Sequence, residues 1–511
     1  MDAMLLADLV ATSAQVAATR SRLAKVAALV EALSAAEPSE IEIVTSYLSG
    51  SLRQRRTGVG WRSASATVPP AESSTLTVTE VDAAFESLAG LSGPGSQVAR
   101  KAQLDALMGR ATAVEQQWLA GLITGETRQG ALDGIMVDAV IKASGLPAAD
   151  VRRAVMMAGT TPAVATAALT VGADAVAAIG LVVGRPIRPM LAASAKSVVE
   201  AMASLGGPVA VEAKLDGIRI QAHRDGAVVR LFTRSLDEVT DRLPEVVDAV
   251  AALPVQRVIL DGEALAIGAD GRPRPFQETA ARSMSQNAAS VRARTPMTPF
   301  FFDLLALDDE QLLDLPAHER AERLVALIPE TARVARLVTD DPERAEAFTR
   351  AVLASGHEGV VVKALDAAYE AGRRGSSWIK VKPVHTLDLV VLAVEWGSGR
   401  RRGWLSNIHL GARDPATGGF VMLGKTFKGM TDAMLTWQTE RFLALETGRD
   451  DWTVRLRPEQ VVEIAFDGLQ RSSRYPGGLA LRFARVLRYR DDKTADEADT
   501  IDTVRAVGQL P

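Results

Sequence analysis

Pro186 and Pro189, within Gly184-Arg185-Pro186-Ile187-Arg188-Pro189-Met190, divide the 511 residues into stretches of different texture. Each proline lacks an amide donor and pushes the residue before it out of the helical region, so no helix is expected to cross this point. Residues 1–183 are dense in alanine and leucine with regular polar breaks, and they read as all-helical. Leu23, Val26, Val30 and Leu33 fall at helical spacing and are expected to form one buried face. Turn-rich interruptions lie at 57–73, with Pro69-Pro70, and at 90–96. From about 190 to 383 short β-branched runs take over, among them 228–232, 257–260 and 359–362. Asp225-Gly226 marks a hairpin and 317–327 a helix, which predicts a mixed α/β domain with largely antiparallel sheet. From about 384 the strands shorten, at 387–394, 406–412 and 419–426. Asp414-Pro415 and Gly418-Gly419 mark a turn, and a helix-like stretch at 432–445 interrupts the strands, so a small barrel with one inserted helix is expected. The division is therefore 1–183, 184–383 and 384–511, a multidomain chain of α and α+β parts.

Composition narrows the function classes. Apolar residues make up 47% of the chain, enough for several cores. There is no cysteine, which excludes a disulfide framework and every cysteine-based zinc module. The five histidines show no paired spacing. A net charge of −4 argues against a uniformly basic nucleic-acid binder, but duplex contact needs only local patches. Arginines do cluster, at Arg53, Arg55 and Arg56, at Arg373 and Arg374, at Arg400, Arg401 and Arg402, and over 482–490. Asp2 and Asp8 stand where a secretory leader would carry basic residues, and no apolar run is long enough to span a membrane. A cytoplasmic address is expected.

The chemistry is concentrated in one ordered series. Glu212-Ala213-Lys214-Leu215-Asp216-Gly217-Ile218-Arg219 places a lysine between two strand-like stretches. By itself this reads as a hairpin lysine beside a turn glycine. Downstream follow Leu260-Asp261-Gly262-Glu263, Phe302-Asp303-Leu304, Glu358-Gly359-Val360-Val361-Val362-Lys363 and Trp378-Ile379-Lys380-Val381-Lys382. Arg482-Phe483-Ala484-Arg485 and Asp492-Lys493 close the series. A lysine that attacks a phosphate needs a free amine, in-line placement and neutralised phosphate charge. Lys380 and Lys382 flank Val381 on one strand and so face one side, as phosphate neutralisers would. Two lysines on a strand also serve as an edge-strand solubility device. Asp216, Glu263 and Glu358 end strand-like runs, and carboxylates beside a phosphate repel it unless they bind a metal or a sugar hydroxyl.

That series resembles the ATP-dependent DNA ligases of bacterial type, in the covalent nucleotidyltransferase superfamily. The resemblance implies a helical DNA-binding domain, an adenylation domain built on antiparallel sheet, and an OB-fold. It implies ATP as cofactor with Mg²⁺, or Mn²⁺ in its place, and nicked double-stranded DNA as the partner. It makes Lys214 the nucleophile that carries AMP. Glu212 would read the adenine amino group and Phe302 would stack on the ring. Arg219, Arg234 and Arg374 would contact the nucleotide or the nick, with Arg373 and Arg374 not separable. Glu263 would serve ribose or metal, and Glu358 the metal. Arg482 and Lys493 would orient the departing pyrophosphate. Ser49-Gly50-Ser51-Leu52-Arg53 and 125–130 resemble DNA-contacting loops. A monomer is expected, associated with the nucleoid, with a sliding clamp or repair proteins as further partners. The rival enzymes are an RNA ligase and a capping guanylyltransferase; the rival of another class is a catalytically dead DNA-binding scaffold.

Overall fold

A computed structural model describes residues 3–54, 57–60, 68–127, 129, 133–284, 295–370 and 374–509. Helices run from Leu6 to Ala177. Their ends are written in the sequence: Thr77 with Glu80 and Thr112 with Glu115 form capping boxes at helices Val78–Gly90 and Ala113–Thr124. Leu9, Leu29, Val44, Tyr47, Phe85 and Leu119 are fully buried at the centre of this helical part. The expected stripe on helix Arg22–Ala35 is corrected. Ser21 caps that helix, so Leu23 falls in its first turn and is 80% exposed. The buried face runs through Val26, Leu29 and Leu33, and Val30 is only half-buried.

The proline segment breaks the helical run as expected and is itself docked. The Gly184 amide donates to His223 Nδ1 at 3.0 Å and the Ile187 amide to Gln221 Oε1 at 2.8 Å. The Arg188 amide donates to the Met156 carbonyl at 3.0 Å, and its guanidinium pairs with Asp133 and bonds Thr161 at 2.9 Å. Met156 and Met157, on helix Ala148–Ala158, are buried in one cluster with Ile187, Met190, Ile259, Leu305, Tyr369 and Trp378. The helical part thus shares a core with the sheets that follow.

Two five-stranded sheets make the middle of the chain. The first has the order β1-β10-β9-β2-β8, with β1 Leu191–Ala195, β2 Val209–Lys214, β8 Arg336–Thr339, β9 Gly359–Ala364 and β10 Arg374–Val381. The second has the order β4-β3-β5-β6-β7, with β3 Ile218–Asp225, β4 Val228–Thr233, β5 Arg257–Ala266, β6 Met297–Leu307 and β7 Glu310–Gln311. The β3–β4 hairpin turns after Asp225, and pairing is antiparallel except between β1 and β10. Helix Ala317–Leu327 lies where the sequence places it.

The last part is a seven-stranded sheet around a long strand β11, His385–Trp396. Its first half pairs with β16 (Val461–Phe466) and its second half with β15 (Thr453–Leu456), while β12 (Leu405–Arg413) lies on the other side and pairs in turn with β13 (Phe420–Thr426). β14 (Glu446–Arg449) extends β15, and β19 (Arg485–Tyr489) extends β16. β17 (Gly468–Arg471) and β18 (Leu479–Arg482) form a separate hairpin. The pairings among the described residues do not close into a ring. The inserted helix is present at Asp432–Ala444.

Candidate active site

Side chains alternate across a strand, and the first sheet uses that alternation to separate packing from chemistry. Val209, Val211 and Ala213 of β2, Val360 and Val362 of β9, and Ile379 and Val381 of β10 enter one apolar cluster. The residues between them, Glu212, Lys214, Val361, Lys363, Trp378, Lys380 and Lys382, line a cavity of about 800 Å³. Register enforces this, because Lys214 lies opposite Gly359, Glu212 opposite Val361, and Trp378 opposite Lys363. The second sheet supplies Arg219, Glu263 and Phe302 to the same cavity, and the loop after β4 supplies Arg234. Of the three consecutive phenylalanines, Phe301 is 2% exposed in the core and Phe302 faces the cavity. Gly217 is required on steric grounds: a Cβ there would sit 2.6 Å from the Ala264 carbonyl.

The Lys214 ammonium donates to Glu358 and, at 3.3 Å, to the Leu215 carbonyl. Glu358 also accepts from Lys382. Burial alone would raise the Glu358 carboxyl, but the two ammoniums outweigh it and pull its pKa below the ordinary carboxylate value. Glu263 goes the other way. Burial pushes it up to about 7, Lys214 and the Gly217 amide (2.7 Å) oppose that, and Glu358 adds to it. Glu263 lines the cavity and Glu358 bonds two lysines that line it, and oppositely shifted carboxylates around one group of lysines fit acid–base or phosphate chemistry.

Arg219 is held by Asp261 at 2.6 and 3.0 Å and donates to the Met190 carbonyl at 2.6 Å. Asp261 in turn accepts from Tyr369 at 2.7 Å, and burial raises that phenol far above its ordinary range. Arg219 therefore forms a braced wall of the cavity. Asp303 of the Phe-Asp-Leu element is structural: it is buried and paired with buried Arg320 at 2.8 Å.

The C-terminal part reaches the cavity through Arg482 of the β17–β18 hairpin, whose Nη1 meets Asp216 at 2.7 Å. Its guanidinium also lies 5.4 Å from the ring centre of Phe276, which lines the cavity. Gln277 donates to the Arg471 carbonyl at 3.0 Å, and Lys382 lies 3.7 Å from Asp467. Lys493 is not brought to the cavity. Its ammonium pairs with Asp388 at 2.6 Å, and Arg490 joins the same carboxylate at 2.9 Å. Arg488 pairs with Glu463 at 2.6 Å, and Arg485 lies 3.7 Å from Asp467. Arg374 opens β10, and nothing is described of its side chain; Arg373 lies outside the described residues. In the helical part, Arg53 is engaged by Asp82 at 2.6 Å, and Gly50 packs against Thr127. Arg55, Arg56, Arg128 and Gly130 lie outside the described residues. Lys363, Phe276, Asp467 and Tyr369 are site residues to which the sequence reading gives no role. For Lys363 the signal was present, because it shares the β9 face with Val361, opposite Glu212.

A chain with this site meets known families along most of its length. The family description "ATP dependent DNA ligase domain" matches residues 189–382, "ATP dependent DNA ligase C terminal region" matches 401–493, and "DNA ligase N terminus" matches 61–141. A probable DNA ligase of Beutenbergia cavernae is 64% identical over 515 residues, covering 99% of this chain and 100% of that protein. A probable DNA ligase of a Nocardioides species is 62% identical over 510 residues, covering 99% of each. Among solved structures, one titled Pmar-Lig_PreS3 shares the fold with a TM-score of 0.62 at 19% identity, over 94% of this chain and 99% of that one. The chain belongs to the ATP-dependent DNA ligase family, enzymes that form phosphodiester bonds between DNA strands. Among the described residues no helix is long and apolar enough to cross a membrane.

Proposed function

We propose that this chain seals nicks bearing 3′-hydroxyl and 5′-phosphate ends through a lysyl-AMP on Lys214. The observation that carries the reading is the convergence of Lys214, Glu212, Glu263, Phe302, Lys380 and Lys382 on one cavity, with Arg482 closing against Asp216. In the first step Lys214 Nζ forms a bond to the α-phosphorus of ATP, the bond to the bridging oxygen breaks, and pyrophosphate leaves. In the second, a 5′-phosphate oxygen takes the AMP and frees Nζ. In the third, the 3′-hydroxyl displaces AMP and joins the strands. Phe302 offers a face for the base and Glu212 an acceptor for its amino group. Lys380 and Lys382 offset the charge that accumulates on the phosphate, and Glu358 holds Nζ at the end of β2. Arg234, Arg374 and Arg219 border the nucleotide, Arg219 as a braced wall.

Glu263 and Glu358 would hold Mg²⁺, or Mn²⁺, with phosphate oxygens completing the shell. The donor chemistry fits, because both are hard oxygen ligands, and Glu358 would exchange its contacts with Lys214 and Lys382 for the ion. When bound, the ion supplies neutralisation of the transferring phosphate. We assign residues 1–183 to DNA binding, 184–383 to adenylation and 384–511 to an OB-fold. The long shared strand β11 and the helix at Asp432–Ala444 support the last of these. We place the enzyme as a monomer in the cytoplasm, at the nucleoid, acting in replication, repair or recombination, with a sliding clamp or repair protein as further partner.

Incubation with radiolabelled ATP tests the assignment. Wild type forms an acid-labile protein–AMP, and Lys214→Ala, folded as judged by circular dichroism, forms none. Labelling that persists in the variant overturns the role of Lys214.

A further inference from the structure

Glu212 is 3% exposed, yet it reaches the cavity wall. Both of its oxygens are taken by cations. Arg336 Nη1 donates to Oε1 at 3.2 Å, and Lys363 Nζ lies 2.5 Å from Oε2. Lys363 also donates to the Phe302 carbonyl at 3.3 Å. Its ammonium sits 4.1 Å from the ring centre of Trp378 and 4.8 Å from that of Phe302. One buried lysine therefore joins the carboxylate to the aromatic pair that shapes the same cavity. Arg336 comes from behind, from edge strand β8, through a neighbouring cavity of about 750 Å³ that also borders Glu212 and Phe302.

A glutamate without partners can rotate and can turn either an acceptor or, when protonated, a donor toward a ligand. Between two cations it is held in one orientation and presents lone pairs to whatever meets it. An exocyclic amino group donates to such an oxygen, whereas a carbonyl at the same place sets oxygen against oxygen. Sites built around a buried polar partner reject the analogue that lacks the matching group strongly, because the partner is left unpaired. A packing role would be served as well by an apolar side chain, since buried ion pairs seldom add net stability.

We infer that Lys363, with Arg336 behind it, determines base specificity by fixing Glu212 as an acceptor for a 6-amino purine nucleotide. The inference rests on the reading that Glu212 meets the base of ATP. Lys363 and Arg336 are positioning residues, so the test is a specificity ratio. The full chain is stripped of bound AMP with pyrophosphate, and self-adenylylation is followed with ATP and with inosine triphosphate, which carries oxygen where ATP carries the amino group. In Lys363→Met and in Arg336→Gln the ratio of kcat/KM for ATP over inosine triphosphate falls at least tenfold. The fall comes through KM for ATP, and the loss with ATP exceeds any loss with inosine triphosphate by that factor. Arg336→Gln lies on an edge strand, so the answer does not hang on Lys363→Met folding. Glu212→Gln separates the two levels. If it collapses the ratio while both clamp variants keep it, the clamp is refuted and the role of Glu212 stands. If it leaves the ratio intact, the reading of Glu212 fails and the inference with it. Equal losses on both nucleotides, with a lower melting temperature, make the cluster structural and also refute the inference.

Discussion

Arg482→Ala and Lys493→Ala should behave differently, although both residues belong to the same basic run. Arg482 crosses from the β17–β18 hairpin to Asp216, two residues from Lys214, at 2.7 Å, and both side chains are less than a third exposed. A hydrogen bond to a charged group contributes about 1.5–3 kcal/mol. At about 1.4 kcal/mol per factor of ten, its loss slows the first step roughly 10- to 150-fold. Partial solvent access favours the lower end of that range. Lys493 contacts Asp388, which Arg490 also holds, so its removal leaves the carboxylate paired and changes the first step by no more than about threefold. The assay compares single-turnover self-adenylylation with sealing of a nick that already carries AMP. Arg482→Ala fails on the former and seals the latter at close to the wild-type rate. Equal loss on both substrates would make Arg482 a DNA contact. A first-step defect in Lys493→Ala as large as that of Arg482→Ala would refute the geometric separation between the two residues.

Acid should weaken the junction between the helical part and the sheets. His223 is 1% exposed, burial pulls its pKa from 6.5 to about 3, and its Nδ1 must stay unprotonated to accept the Gly184 amide. A depressed imidazole contributes stability above pH 6.5 that is lost as pH falls toward 3, about 1.4 kcal/mol by pH 5.5, and denaturant melts of wild type and His223→Gln between pH 5 and 8 should show a shallower acid slope in the variant. Met157→Ala removes a side chain buried with Trp378 and Tyr369, so it should destabilise the full chain by about 2–5 kcal/mol and raise KM for ATP, and an unchanged KM would show that the cluster does not support the cavity wall. Residues 184–511 alone should self-adenylylate at a lower melting temperature and seal nicks poorly at physiological salt. Sealing equal to that of the full chain would remove the DNA-binding role of residues 1–183.

Much of the fold was legible because local rules agreed with tertiary ones. The helix at Ala317–Leu327, the hairpin at Asp225 and the strands β11 to β13 fall within two residues of where turn residues and β-branched runs put them. Leu23 misled because helical spacing continues through a first turn that has nothing to pack against. The proline segment shows a limit of another kind. Proline forbids helix but says nothing about docking, and the hydrogen bonds that anchor this segment come from His223 and Gln221, more than thirty residues away.

The site separates in the same way into what lies within one strand and what needs the fold. Lys380 near the end of β10 and Lys382 just after it line the same cavity at a two-residue spacing, and the same count on β9 sets Lys363 beside Val361 and opposite Trp378. The basic run at the end of the chain obeys no such count. Arg482 ends β18, Phe483 takes a left-handed φ of 54° that breaks the extended path, Arg485 opens β19, and Lys493 lies beyond that strand. In this structure these charges, spread over two strands and the turn after them, take different partners: Arg482 meets Asp216, Arg488 meets Glu463 and Lys493 meets Asp388. Lys493 would reach the nucleotide by giving up its bond to Asp388, or by a rotation of the whole C-terminal part, hairpin included, which would also pull Arg482 from Asp216.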